Sequence, residues 1–97
     1  MGQISRYAFL VKHKSYSSRH QHAFMGTNEF STNIVGVSHV EEAVAVSREL
    51  IQKGIQLVEL CGGFTEEEKD YIKQKTGNNI PMGVVHLSSE DEALLTN

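Results

Sequence analysis

Residues 34–61 decide the fold. They read Ile34-Val35-Gly36-Val37, then Ser38-His39-Val40-Glu41-Glu42-Ala43-Val44-Ala45-Val46-Ser47-Arg48-Glu49-Leu50-Ile51-Gln52-Lys53-Gly54, then Ile55-Gln56-Leu57-Val58-Glu59-Leu60-Cys61. The first run is short, apolar and rich in β-branched residues, the pattern of a buried strand. Ser38 and Glu41 have the Ser-x-x-Glu spacing of a capping box, in which each side chain satisfies an unpaired backbone N–H at a helix start. Val40, Ala43, Val44, Ser47, Leu50 and Ile51 then recur at the i, i+3, i+4, i+7 spacing of one buried helical stripe. Gly54 supplies the left-handed backbone that ends a helix, and the apolar run up to Cys61 reads as the next strand. A strand, a helix and a strand joined by short connections form a parallel pair with a right-handed crossover.

The same pattern repeats downstream. Gly62-Gly63 break the strand, Thr65 and Glu68 make a second capping box, and a helix with a thin stripe of Tyr71 and Ile72 runs to Gly77. Pro81-Met82-Gly83-Val84-Val85-His86 reads as another strand. Ser88 and Ser89 before Glu90-Asp91-Glu92 start a last short helix, whose Leu94 and Leu95 are expected to pack back on the domain. Upstream, Tyr7-Ala8-Phe9-Leu10-Val11 is a buried strand, whereas residues 13–31 are polar, lack apolar periodicity and read as a long mobile loop, with Ala23-Phe24-Met25 anchoring its middle.

These readings predict an α/β fold in one domain over 1–97: a small four-stranded, mostly parallel sheet in the order β-loop-β-α-β-α-β with a short C-terminal helix. Strands are expected at about 7–11, 34–37, 57–61 and 82–86, and helices at about 40–53 and 65–76. With the last three strands side by side, right-handed crossovers place both helices on one face. The far face is then left bare. The loop is too polar to cover it and the tail offers only Leu94 and Leu95, so a homo-oligomer is the expected cover.

Composition narrows the classes of function. The 97 residues are 39% hydrophobic and 22% charged, ordinary for a globular domain. No apolar run approaches the ~18 residues of a membrane span, and the N-terminus lacks the basic-then-apolar pattern of an export signal. The lone Cys61 excludes an internal disulfide and fits a reducing, cytoplasmic setting. The net charge of −3 is divided, with residues 1–37 at +3 and 38–97 at −6. That balance, without interleaved basic and aromatic residues, argues against nucleic acid as a partner.

Tyr7-Ala8-Phe9-Leu10, Ile34-Val35-Gly36-Val37, Glu42-Ala43, Glu49-Leu50, Leu57-Val58-Glu59-Leu60-Cys61-Gly62 with Phe64, and Ile80-Pro81-Met82-Gly83-Val84 with His86 together resemble a small family of uncharacterised bacterial proteins of about this length. The resemblance spans most of the chain and is most specific in Val-Glu-Leu-Cys-Gly-x-Phe. It implies a bacterial cytoplasmic α/β domain and no particular reaction. Residues 34–61 also look like one β-α-β unit of class I aldolase-type barrels, a likeness of fold that carries no function.

Open parallel sheets bind ligands beyond the carboxyl ends of their strands. Here those ends carry His13, Ser38, His39, Gly62, Gly63 and His86, the expected small-molecule rim. Cys61 is a candidate thiolate nucleophile with His86 as its base; its bland reading is a small hydrophobe ending a core strand. Glu59, between Leu57 and Cys61 on one strand face, is a candidate buried acid or base. Gly62-Gly63 before a helix could cradle an anion, but Glu66-Glu67-Glu68 oppose a phosphate there. His20 and His22 with His13 lack further ligands at zinc spacing, so neither a metal nor a cofactor is expected. Three classes follow: a small-molecule-binding domain, a small lyase or isomerase using Glu59, Cys61 or His86, and an interaction module using the bare sheet face.

Overall fold

A computed structural model describes residues 4–96 of the chain. Its elements are β1 (Arg6–Lys12), β2 (His22–Gly26), β3 (Ser31–Val37), α1 (Val40–Gln52), β4 (Leu57–Leu60), α2 (Glu66–Lys75), β5 (Met82–Val84) and α3 (Ser89–Leu94). The sheet has five strands in the order β2-β3-β1-β4-β5. β1 pairs in parallel with both β3 and β4, β4 pairs in parallel with β5, and β2 runs antiparallel to β3 at one edge.

The α/β class, the parallel strands and both main helices agree with the sequence reading. Strand number and order do not. The segment expected to be a loop contains β2, whose five residues are all exposed. An edge strand buried on neither face has no apolar alternation, so periodicity does not reveal it. β3 accordingly starts at Ser31, not Ile34. β3 and β4 are parallel but are not neighbours, because the first strand lies between them. A strand at the sheet centre is covered best when nearly every residue is apolar, and Tyr7–Val11 is such a run.

The register puts Ala8, Leu10, Val35, Val37, Val58, Leu60 and Met82 on one face. There they join Ala43, Val44 and Leu50 of α1 and Ile72 of α2 in the core. The two helices touch each other across this face, as expected from right-handed crossovers. Ser47, in the same stripe, is fully buried and its hydroxyl has no hydrogen-bond partner among the described residues. Tyr71 is not core: its hydroxyl hydrogen-bonds Glu41, tying α2 to α1 from outside.

Helix ends differ in one respect. The Thr65–Glu68 capping box is present in full, and Gly54 takes φ +100 just beyond α1. At the start of α1, however, His39 is the N-cap, so the third helical residue is Glu42 and not Glu41. Glu42 reaches back to the Ser38 N–H at 2.6 Å. α3 begins at Ser88 as its cap, but it buries no residue. Leu94 and Leu95 are 68% and 70% exposed and do not pack back. A six-residue helix with three acids in its first turn has too little apolar surface to hold itself on the domain.

The second sheet face, carrying Tyr7, Phe9, Val11, Ile34, Leu57 and Glu59, has no helix. Two loop aromatics cover part of it, which the polar look of the loops hid. Phe30 stacks on Tyr7 with ring centroids 6.3 Å apart. The ring of Tyr16 lies so close to Gly36 that a Cβ there would stand 2.6 Å from it. Only glycine permits that approach. Gly36→Ala is therefore expected to cost about 1–3 kcal/mol in urea unfolding. In a Tyr16→Ala background the same change should cost less than half as much, and equal costs in both backgrounds would refute the contact.

Candidate functional site

β1, β3, β4 and β5 all end at one rim, and the expected residues are there. Their side chains are engaged in separate local contacts. Nδ1 of His13 pairs with Ser15 Oγ at 2.7 Å and its ring lies against Tyr16. After β3, Glu42 accepts the Ser38 N–H at 2.6 Å, the Ser38 hydroxyl at 3.0 Å and the Ser18 N–H at 2.8 Å. With that hydroxyl donating to Glu42, His39 Nδ1 carries the proton and donates to Ser38 Oγ at 2.7 Å.

Beyond β4, Cys61 Sγ accepts the Lys12 N–H at 3.3 Å and the Gly63 N–H at 3.4 Å. Lys12 itself bridges to Glu68 at 3.0 Å and lies over the Phe64 ring. The Thr65 N–H, with Lys12 assisting and burial opposing, holds the Glu68 carboxyl below its usual range. His86 lies past the end of β5, exposed, and shares a 2.6 Å hydrogen bond with Glu66. That bond holds Glu66 low as well. Gly62 and Gly63 form a turn between β4 and α2 with exposed backbone.

Glu59 is not part of this rim. It lies in the middle of the open sheet face, in register with Phe9 and Gly83, and accepts the Tyr7 hydroxyl at 2.6 Å. Burial, with this bond assisting, pushes the Tyr7 hydroxyl well above its usual range. Glu59, Cys61 and His86 thus each engage a different partner. Among the described residues no group of three or more His, Cys, Asp or Glu could hold a metal ion. His22 Nδ1 contacts the Ser18 carbonyl.

Three clefts lie elsewhere. The first, of about 390 Å³, runs along β2 where the sheet extends beyond α1. Its floor is Ala23, Phe24, Asn33 and Val35, and one wall is Val46, Glu49 and Leu50 of α1 with Lys53 just beyond its end, with Ser18 and Arg19 at the upper end. A second, of about 340 Å³, continues it past Phe24 and Asn33 to Arg6, Ser31 and Ile55. Phe24 is 66% exposed on this floor. Lys53 pairs with Glu49 at 3.1 Å on open surface, while Arg19 makes no ion pair among the described residues. A shallower third hollow lies over Gly36 beside Tyr16. None of the three includes a residue of the expected rim.

The sequence model of DUF6506, described as a family of unknown function, matches residues 5–97. The chain belongs to that family. No curated protein and no solved structure matches it. The resemblance read from the strand sequences is therefore to a real family, one that supplies no activity, and no helix of the described residues is long and apolar enough to cross a membrane.

Sequence reasoning missed Arg6, Arg19, Phe24, Asn33 and Lys53 as cleft residues because it missed β2. The available signal was the apolar island Ala23-Phe24-Met25 followed by Gly26-Thr27-Asn28-Glu29, a hairpin turn. It also missed Glu42 as the residue joining the β1–β2 loop, the end of β3 and α1. Burial pushes the Glu42 carboxyl up, but the hydrogen bonds from Ser18 and Ser38 outweigh it and set its pKa at about 2. A depressed carboxyl contributes stability that is present above its unfolded value and lost as pH falls through the folded one. Wild-type stability should therefore fall between about pH 4.5 and pH 2 by a component that Glu42→Gln lacks. At neutral pH that variant should lose about 1–2 kcal/mol. An unchanged acid limb in thermal unfolding of Glu42→Gln would refute this role.

Proposed function

We propose that this domain binds a small organic anion in the cleft between α1 and the β2–β3 hairpin. The observation that carries the reading is Phe24, an aromatic ring two-thirds exposed on the floor of a cleft of about 390 Å³, with Arg19, which makes no ion pair among the described residues, at its upper end. Pockets that hold small molecules have this size, and here apolar residues alternate with a comparable number of polar and charged ones. An exposed aromatic floor favours a flat apolar body. Arg19 at one end and Arg6 at the other favour carboxylate, sulfonate or phosphate groups, while Lys53 is already paired with Glu49. The Asn33 side chain between them can donate or accept one hydrogen bond to the middle of the ligand. The rim of strand ends is less suited, because its histidines, serines and carboxylates already satisfy one another.

The reading is tested with 8-anilinonaphthalene-1-sulfonate, an aromatic anion whose fluorescence rises in apolar sites. Wild type is expected to bind it, with Arg19→Gln and Phe24→Ser each weakening the affinity about five- to tenfold, the loss of one charge-assisted contact or one stacked ring. Ile34→Ser, on the opposite sheet face, should leave it unchanged. Equal affinity in all four proteins, or loss only in Ile34→Ser, would refute the cleft as the site.

A further inference from the structure

β2 is a sheet edge with its outer side open. The Gly36 N–H donates to the Gln21 carbonyl at 2.7 Å and the Thr27 N–H to the Phe30 carbonyl at 2.9 Å. With His22 in register with Val35, the alternation of an antiparallel ladder gives Gln21, Ala23, Met25 and Thr27 the bonds to β3. His22, Phe24 and Gly26 turn their N–H and C=O groups outward. All five residues of β2 are exposed, and Phe24 and Met25, on opposite faces, are each 66% exposed. The devices that guard natural edges, such as a lysine, a proline or a bulge, are absent from this strand.

We infer that β2 pairs antiparallel with β2 of a second copy, about a two-fold axis at Phe24, to make one continuous ten-stranded sheet. The strand is self-complementary in the way a two-fold interface requires. Phe24 meets the partner's Phe24, and each His22 faces a Gly26, over which the Phe24 ring of that strand already leans. Each copy contributes three N–H and three C=O groups, all satisfied by this pairing. No acid, lysine or arginine stands on β2, so no like charges meet at the axis. A contact roughly 17 Å long, with two large apolar side chains per copy, falls at the small end of specific interfaces, so the dimer is reversible rather than obligate.

The pairing also completes the cleft, and this part rests on the anion-binding reading above. With strands about 4.8 Å apart and α1 lying over β1 and β3, two helices of about 10 Å diameter leave a channel roughly 9 Å wide. Its floor is the pair of Phe24 rings. The open side of each cleft becomes the middle of a shared one, with arginines from both copies around it.

Sedimentation velocity of the full chain without added anion, from about 2 to 200 µM, tests the interface. Wild type should pass reversibly from monomer to dimer. Phe24→Pro should stay monomeric with near wild-type circular dichroism, because the lost N–H makes no bond to β3. Phe24→Glu, which places two charges on the axis, should also stay monomeric, and Ile34→Lys on the open sheet face should still dimerise. A wild-type monomer throughout, a dimer that survives both Phe24 variants, or a dimer lost only in Ile34→Lys would overturn the inference. A dimer that fails to bind 8-anilinonaphthalene-1-sulfonate would keep the interface and remove the anion reading. Binding by a protein that stays monomeric would do the reverse.

Discussion

β1 is hydrogen-bonded along both sides, to β3 over Arg6–Lys12 and to β4 over Tyr7–Leu10, and every other element takes its place from that. Leu10 lies between Val35 and Leu60, and Ala8 has Val58 beside it; all are buried. The connections at either end repeat the arrangement, with the His13 N–H bonded to the Val37 carbonyl and the Gln56 N–H to the Arg6 carbonyl. Once the first strand is central, the crossover through α1 must pass over it. That puts the α1 stripe directly on Leu10 and Val35, where apolar burial contributes most.

Two helices cannot cover five strands. α1 and α2 close one face over β3, β1, β4 and β5, which leaves the β2 side of that face as a cleft and the opposite face open. The chain answers the second exposure locally, with Tyr16 seated on Gly36 and Phe30 on Tyr7. A hydroxyl pairs with the one carboxylate on that face, so Glu59 stands there as a partnered acceptor. The first exposure has no such cover. Phe24 and the outer edge of β2 remain open, and this contrast directs attention to the hairpin for recognition rather than to the rim.

Where local rules act alone, the structure was legible. The i, i+3, i+4 stripe of α1, the stop at Gly54, the Thr65–Glu68 box and the apolar run Tyr7–Val11 are all read from neighbours in sequence. Strand order was not, because adjacency of β1 to both β3 and β4 is a long-range choice that no local pattern encodes. β2 was hidden for a different reason: an edge strand exposed on both faces has no apolar period, and only the short island Ala23-Phe24-Met25 and the turn after it mark it. The cap of α1 slipped by one residue because Ser38 donates to Glu42 instead of accepting from the helix. For the site, sequence placed histidines and a cysteine at the strand ends correctly, but it could not show that they are already partnered.

The placement of the first strand is tested most directly by amide exchange and interstrand contacts in solution by NMR. The account predicts that Ala8–Val11 exchange among the slowest amides in the protein. It also predicts that backbone protons of Leu10 show contacts to both Val35 and Leu60. Direct contacts between residues 34–37 and 57–60, with the first strand exchanging rapidly at an edge, would contradict it.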